Sequence, residues 1–408
     1  MFYSSRTLRY QAGAGLGQVP ERWKDISVGP LLSPEKQCFF ENSGTYKSAN
    51  GTQCVQRRGN PVQDNIRTLT KFTPEIVDLF ERRYNIMRTI SNLQPLGRRH
   101  IAEHLGLGER IVRGELNFLK EQQLIVSKSS GVTLTQDGEE LLLPLMQVLL
   151  QLRGLKALER QIAQETGLEE VWIVPGDLDR DNSVLQELGR SAGRYIRNVV
   201  QDDWVIAVTG GTTMAEVAGK LPPTDRSKRL LVVPARGGLG EKVEIQANTI
   251  AAEIARRLGA KYRLLHVPEG ISEEMLDRLM LEHRVQEVVT LSRHANLLVH
   301  GIGNPDETFK RRELDAVDLF RGCTRIPKGE VFGNFFAADG QVLKTIPTVG
   351  PTLEELAALD KVVAVAGGSK KAEAILAVLR HGFVDVLITD QGAAESIRSH
   401  MMKGAGLE

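Results

Sequence analysis

An α/β fold with a doubly wound, largely parallel sheet is predicted for the larger part of the chain, with a smaller helical module before it. From about Glu170 onward, short apolar runs typical of buried strands alternate with segments of helical apolar period. Several strand-like runs end in glycine and small polar residues, as the carboxyl ends of parallel strands at a ligand site do. The chain has 408 residues, 41% of them hydrophobic, which is enough for two or three domains with their own cores.

The charge balance and the cysteines exclude several classes of protein. The 52 Lys and Arg residues nearly balance 51 Asp and Glu residues, for a net charge of +1, so any nucleic-acid surface must be local. The three cysteines are widely spaced, without a CxxC pair, which argues against a disulfide framework or a zinc site. No apolar run is long enough to span a bilayer. We expect a cytoplasmic protein with no metal, no cofactor and no membrane contact.

The first 61 residues differ from all that follow. Gly, Ser, Gln and Pro are scattered among them without a helical or alternating apolar period, which predicts a disordered extension over residues 1–61. Eight Lys and Arg residues there exceed four acidic ones, a balance that favours non-specific contact with DNA.

Residues 62–138 have the pattern of a winged helix-turn-helix. A helix begins near Pro74, a residue tolerated in a first turn, and its apolar residues recur every three or four positions. Two more helical segments follow on either side of Gly106, which supplies the turn, and two short strands then surround Gly131. Helix, helix, turn, helix and hairpin is the order of a winged DNA-binding module.

The second helix of such a pair enters the major groove, and its polar face here has donors suited to guanine edges and phosphates. Between Gly97 and Leu134, six Lys or Arg residues stand against four glutamates, so the charge excess is small. A winged module that binds protein is therefore the alternative. The predicted operator contacts are Arg110, Arg113, Asn117 and Lys120 on this helix, with Arg98, Arg99 and the wing residue Lys128 at phosphates.

Residues 139–165 contain an apolar stripe that steps by three, four or seven positions, as in a short coiled coil. We predict a linker helix here, kinked near its start by Pro144, that joins two chains. We expect a homodimer that assembles to a tetramer, but the sequence does not decide between the dimer and the tetramer. A helix packed on its own domain would have the same stripe. Its members are Leu141, Leu145, Val148, Leu152, Leu155 and Ile162.

Two glycine-rich loops of the last domain, residues 166–408, have the composition of anion sites. Glycines let the backbone approach an anion, and the following helix offers free amides and its positive end. Hydroxyl, guanidinium and ammonium groups add further donors. We predict that these loops bind two anionic groups of one small molecule, although a single loop of this kind is often only structural. The residues concerned are Gly210, Gly211, Thr212, Thr213, Arg236 and, in the loop that starts at Gly367, Lys371.

Several segments resemble the bacterial central glycolytic genes regulators (CggR), repressors of the SorC/DeoR type. The resemblance runs from about Val62 to Asp390 and is most specific in VPARGG to QANT. It implies a winged DNA-binding domain and an effector domain similar to ribose-5-phosphate isomerase and glucosamine-6-phosphate deaminase. It also implies repression of a glycolytic operon, with fructose 1,6-bisphosphate or a related phosphorylated sugar as the inducer. The other matching segments are RRHIAEHLGLGERIVRGELNFLKEQQL, AVTGGTTMAEVA, LLVHGIG and AVAGGSKKAEAI.

The resemblance also assigns roles to individual residues. Phosphate binding falls to the loop that ends in Thr212 and Thr213, to Arg236 and to Lys371. Contacts to the sugar fall to Gln246 and Glu330, and we place Glu330 on ring hydroxyls because a carboxylate accepts hydrogen bonds from them but repels phosphate.

The matching region begins near Val62, so the preceding residues allow two hypotheses. They are an authentic extension, or translation begins at Val62.

Two other function classes remain open at this point. One is a sugar-phosphate isomerase or deaminase with an attached DNA-binding module, which needs a general base such as Asp177, His300 or Glu330. No two of these are spaced as an acid/base motif, so we expect no catalytic residue and a structural His300. The other is a dimerisation protein, which has no use for two anion-binding loops.

Overall fold

The computed structural model describes residues 38–40, 46–48, 68, 70–224, 229–238, 242–268, 272–311 and 315–405. The chain divides into two units, residues 1–61 and 62–408. The described part of the first unit is two antiparallel strands, β1 (Cys38–Phe40) and β2 (Tyr46–Ser48). The rest of the predicted disordered extension, and the proposed start at Val62, lie outside the described residues.

The second unit opens with the predicted winged helix-turn-helix. Pro74 stands in the first turn of α1 (Pro74–Leu93), and Gly106 ends α2 (Arg98–Leu105) with a left-handed φ of 62°, a conformation that glycine adopts without strain. The strands of the wing pair antiparallel. The elements are α1 (Pro74–Leu93), α2 (Arg98–Leu105), α3 (Glu109–Glu121), β3 (Ile125–Lys128) and β4 (Gly131–Leu134).

The single linker helix predicted for residues 139–165 is wrong. Two helices, α4 (Gln136–Leu152) and α5 (Leu155–Thr166), are bent by 71° because Gly154 between them has a φ of +69°. Leu155 and Ile162 are 2% and 0% exposed and pack in the core of their own chain, so this half of the stripe has an intramolecular partner. Dimerisation stays a prediction.

None of the described helices is by itself long and apolar enough to cross a membrane, and α4 and α5 reach that length and composition only as a bent pair.

Ten strands form two sheets in the α/β domain. The strands are β5 (Glu170–Val174), β6 (Val205–Val208), β7 (Leu231–Pro234), β8 (Lys261–Tyr262), β9 (Leu297–Gly301), β10 (Gly329–Val331), β11 (Asn334–Phe336), β12 (Val342–Thr345), β13 (Val362–Val365) and β14 (Val386–Asp390). A parallel sheet in the order β5-β14-β13-β9-β6-β7-β8 forms the centre of the domain, and a smaller antiparallel sheet, β10-β11-β12, lies beside it. The chain order reverses between β9 and β6, and ligands bind at such a reversal.

Helices cover both faces of the parallel sheet, as the prediction of a doubly wound α/β domain requires. The helices are α6 (Ser183–Val199), α7 (Thr212–Lys220), α8 (Ala247–Leu258), α9 (Glu273–Leu279), α10 (His283–Arg293), α11 (Pro305–Arg311), α12 (Ala316–Leu319), α13 (Leu353–Ala357), α14 (Ala372–Leu379) and α15 (Gln391–Ala405), with 3-10 turns at Val243–Ile245 and Ser369–Lys371. One face packs on α6, α7 and α8, and the other packs on α5, α14 and α15.

Candidate functional site

A cleft opens at the carboxyl ends of β7, β6, β9 and β13, where the chain order of the sheet reverses. It encloses about 640 Å³, a volume that includes open solvent at its mouth. Its walls are the loops after these four strands, the start of α11 and the turn between β10 and β11. Seven of the eight predicted effector residues line it, namely Gly210, Gly211, Thr212, Thr213, Arg236, Glu330 and Lys371.

The eighth, Gln246, does not line the cleft. It follows the 3-10 turn behind the β6–α7 loop, where a Cβ on Gly210 would lie 2.7 Å from the carbonyl oxygen of Ile245. Gly210 is therefore required by the close approach of these two loops. Gly211 has a φ of +114°, and a Cβ added there would meet nothing within 4 Å. The approach of an anion to these two glycines stays a prediction.

The β6–α7 loop has the geometry of an anion site. Gly211 is the N-cap of α7, and Thr212 and Thr213 form its first turn. The first amides of a helix have no acceptor within the helix and lie at the positive end of its dipole. Two threonine hydroxyls beside such amides suit a phosphoryl group.

The second glycine-rich loop differs from the prediction. Its backbone amides do not face the cleft, because carboxylates of the same chain accept their hydrogen bonds. The amide of Gly368 donates to Asp390 at 2.9 Å, that of Ser369 to Asp177 at 3.2 Å and that of Lys370 to Asp179 at 2.7 Å. This loop therefore contributes one cation to the cleft, the side chain of Lys371. The amides of Gly368, Ser369 and Lys370 do not bind an anion there, because they already donate to carboxylates.

A buried ion pair forms the floor of the cleft. Arg236 Nη1 lies 3.6 Å from Glu330 Oε1, and the two side chains are 10% and 3% exposed. Glu330 also accepts hydrogen bonds from the amide of Gly333 at 2.8 Å and from the hydroxyl of Thr308 at 3.3 Å. Its own backbone pairs with Gly303 in an antiparallel bridge. The carboxylate is thus fixed in position and partly neutralised, which suits an acceptor for sugar hydroxyls.

Three further residues at the cleft were not singled out from the sequence. Thr308 orients Glu330, Glu307 lies 3.5 Å from Lys371 Nζ, and Phe332 forms part of the wall. Phe332 has a φ of +53°, which a bulky residue rarely adopts, and it shares the tight β10–β11 turn with Gly333. Gly333 between two apolar strands was the available signal for a tight turn.

The three candidate bases do not meet in one site. Glu330 lines the cleft, whereas Asp177 accepts from the amide and hydroxyl of Ser369 at 3.2 and 3.0 Å. His300 is fully buried, its Nδ1 lies 2.9 Å from the carbonyl oxygen of Gly301, and its ring packs near Phe332. Within the described residues, no group of three or more His, Cys, Asp or Glu side chains could hold a metal ion.

Acidification is expected to destabilise the fold through His300. Burial lowers the pKa of His300 to about 4, from an ordinary value of 6.5. Between these values the unfolded chain binds more protons than the folded one, so the stability that this residue contributes falls as the pH falls. From pH 7.5 to pH 5 the loss is about 2 kcal/mol, measurable by urea unfolding.

The variant His300→Gln cannot titrate and should lose correspondingly less stability over the same pH range. Burial raises the pKa of Asp390 to about 6, which has the opposite effect on the free energy of unfolding, but it acts equally in both proteins and cancels in the comparison. Equal losses in the two proteins would contradict the assignment to His300.

The predicted DNA-contacting residues lie on α2, on α3 and on the wing strand β3. Val112, Leu116 and Leu119 bury the opposite side of α3, which leaves the polar side to solvent. At the start of α3, Glu109 lies 3.7 Å from Arg98 and 3.5 Å from Arg99. All seven predicted residues are exposed: Arg98, Arg99, Arg110, Arg113, Asn117, Lys120 and Lys128.

Comparisons with known proteins match both parts of this architecture. A family described as "Putative sugar-binding domain" matches residues 151–398, and the CggR N-terminal DNA binding domain matches residues 79–149. The central glycolytic genes regulator of Priestia megaterium is 41% identical over 333 residues, 81% of this chain and 97% of that protein. Its counterpart in Bacillus subtilis is 39% identical over 332 residues, 81% of this chain and 98% of that protein.

Solved structures agree with these matches. A protein described as a SorC family transcriptional regulator from Enterococcus faecalis is 38% identical, with a TM-score of 0.55 over 59% of this chain and 99% of that one. The full-length sorbitol operon regulator SorC from Klebsiella pneumoniae, 20% identical, shares the fold with a TM-score of 0.56 over 74% of this chain and 93% of that one. The chain therefore belongs to the family of the central glycolytic genes regulators, in which a DNA-binding domain is joined to a sugar-binding domain.

Proposed function

We propose that this protein is a transcriptional repressor of a glycolytic operon and that a phosphorylated sugar in the cleft sets its affinity for operator DNA. The main support is the cleft itself, in which Arg236, Lys371 and the first turn of α7 surround one space. Cations and helix amides together are the donors that phosphoryl groups require. The exposed polar side of α3 is the proposed DNA-binding surface, and we expect the protein to act in the cytoplasm as a homodimer or tetramer.

We propose fructose 1,6-bisphosphate as the effector. We place one phosphate on Thr212, Thr213 and the amides of α7, and the other near Lys371. Glu330 accepts from ring hydroxyls, and Arg236 balances the charge of that carboxylate while donating to a phosphate. The names of the two glycolytic relatives support a glycolytic effector and target.

Effector and operator affinities must be linked. A ligand shifts an equilibrium only by its difference in affinity for the two states. If the sugar weakens operator binding, then operator binding must weaken the sugar by the same factor, which in known systems is about 5- to 150-fold.

Calorimetry against a panel of glycolytic phosphates, with and without an operator duplex selected from a random pool, tests this function. We expect the tightest binding for fructose 1,6-bisphosphate, release of the duplex on its addition, and no turnover of any sugar phosphate. Product formation would instead support an isomerase or deaminase. A protein that ignores every hexose and triose phosphate at millimolar concentration would contradict the proposal.

Removing the carboxylate of Glu307 is expected to strengthen effector binding. Glu307 pairs with Lys371 at 3.5 Å, and its side chain is largely exposed, so it competes with a phosphate for that ammonium group. A solvent-exposed pair is worth about 0.2–1 kcal/mol, which predicts a gain of roughly 1.4-fold to fivefold in affinity for Glu307→Gln. Calorimetry measures it, with the neighbouring Asp306→Asn as the control. Unchanged or weaker binding in Glu307→Gln would refute the competition.

A further inference from the structure

We propose that the loop between β5 and α6, residues 175–182, transmits occupancy of the cleft to the helix-turn-helix, with Asp179 and Asp181 as positioning residues at its two ends. The inference rests on the proposed function, since it concerns the regulation of that same site. The loop is suited to the task because one of its ends holds a wall of the cleft and the other holds the DNA-binding module.

At the cleft end, carboxylates clamp the 3-10 turn that carries Lys371. Asp177 accepts from the amide and hydroxyl of Ser369, and Asp179 accepts from the amide of Lys370 at 2.7 Å. The loop and the turn are also tied through a shared partner, because Asp390 Oδ2 accepts from the amide of Leu178 at 2.8 Å and from that of Gly368 at 2.9 Å. The turn cannot shift without breaking these bonds or moving the loop with it.

At the DNA-binding end, Asp181 Oδ2 lies 2.5 Å from Nη2 of Arg88 on α1. The side chain of Arg88 is only 4% exposed, so separation from Asp181 would leave a buried charge without its anion, which is costly. His104 Nε2, near the end of α2 and two residues before the turn at Gly106, lies 3.9 Å from Asp181 Oδ1. The loop therefore reaches both helices that precede the recognition helix.

The two ends together give a physical path. A phosphate that draws Lys371 away from Glu307 displaces the turn of Ser369–Lys371, and the carboxylates of Asp177 and Asp179 pass the displacement to the loop. Because the Arg88–Asp181 contact is short and shielded from water, a movement of Asp181 repositions α1 and the helix-turn-helix. Other contacts between the two parts exist, such as Arg153 with Glu81, but neither of these two residues lines the cleft.

Two substitutions, one at each end, test the path. Asp181→Asn removes the charge that faces Arg88 but keeps an oxygen for the amide of Ser183, which Asp181 Oδ1 accepts at 2.9 Å. Asp179→Ala removes the acceptor for Lys370, and because Asp179 is exposed it leaves the core intact. Asp339→Asn is the matched control, since Asp339 also lies 2.5 Å from an arginine, Arg325, in an exposed pair away from the cleft lining.

The readout is the coupling factor, defined as the operator Kd with saturating fructose 1,6-bisphosphate divided by the Kd without it. We expect both variants to reduce this factor at least about fivefold, while the separate Kd values for sugar alone and operator alone change less than about threefold. Asp339→Asn should keep the factor of the unsubstituted protein. A merely structural role would lower the separate affinities or the melting temperature and leave the ratio unchanged.

Folded variants that keep the full coupling factor would overturn this inference and leave the proposed function standing. If Asp181→Asn does not fold, Asp179→Ala alone decides. An unsubstituted protein that binds sugar and operator independently would overturn the proposed function and this inference together.

Discussion

Replacing Arg236 with methionine is expected to weaken sugar-phosphate binding by roughly 10- to 150-fold, because a charge-assisted hydrogen bond contributes about 1.5–3 kcal/mol. It is also expected to lower the free energy of unfolding by about 3 kcal/mol. The second effect follows from Glu330, which lies 3.6 Å from the guanidinium and is almost fully buried. Without Arg236 that carboxylate would be a buried charge without this partner. Calorimetry measures the first effect and urea unfolding the second.

The double variant Arg236→Met/Glu330→Gln separates the two effects. A neutral glutamine beside methionine removes the uncompensated charge, and its carbonyl can still accept from the amide of Gly333, so most of the stability should return. The affinity for the sugar phosphate should not. Operator binding in the absence of sugar should match that of the unsubstituted protein in both variants. If the sugar phosphate still releases the Arg236→Met variant from the operator as it does the unsubstituted protein, this account of the cleft is contradicted. A double variant as unstable as the single one would contradict it as well.

Replacing Arg113 with alanine is expected to weaken operator binding by roughly 10- to 100-fold, the usual cost of losing a bidentate contact to a base, about 1–3 kcal/mol. Arg113 is exposed on α3, while the neighbouring Val112 and Leu116 are buried and hold the helix in place. The melting temperature and the affinity for the sugar phosphate should therefore stay unchanged. Gel shifts at a fixed salt concentration measure the loss, because affinity for DNA depends steeply on salt.

Arg160→Ala provides the control for this experiment. Arg160 is an exposed arginine on α5, outside the winged module, so its removal changes the net charge by the same amount without touching the proposed surface. We expect normal operator binding for Arg160→Ala. Equal retention of affinity by both variants would remove Arg113 from the interface, and equal losses would indicate a response to net charge alone.

The sequence predicts local features well and misses those that depend on distant partners. Glycine and threonine at the end of a strand identify the first anion loop, because the amides of a helix start are a local property. The second loop has similar composition, but Asp177 and Asp179, almost 200 residues earlier, accept from its amides. A pattern within one segment does not show which distant carboxylate folds onto it.

The linker shows that an apolar stripe, likewise, does not indicate which distant surface covers it. A stripe such as that of Leu155 and Ile162 is compatible with a partner chain or with the core of the same chain, because burial requires only an apolar neighbour. The structure gives these two residues an intramolecular neighbour. The sequence could have predicted the break between α4 and α5, since Gly154 interrupts the stripe and glycine readily takes the positive φ that ends a helix.

Tyr84 of α1 lies in the same hydrophobic cluster as Leu149, Ile162 and Ile173. The first helix of the DNA-binding module therefore packs on the sugar-binding domain, while Ile86, Met87 and Ile90 of the same helix belong to the core of the module itself. A chimaera that joined one of the two domains to a domain from another regulator would lose these shared apolar contacts. A new combination of effector and operator in this architecture therefore requires the interface between the domains to be redesigned together with the exchanged domain.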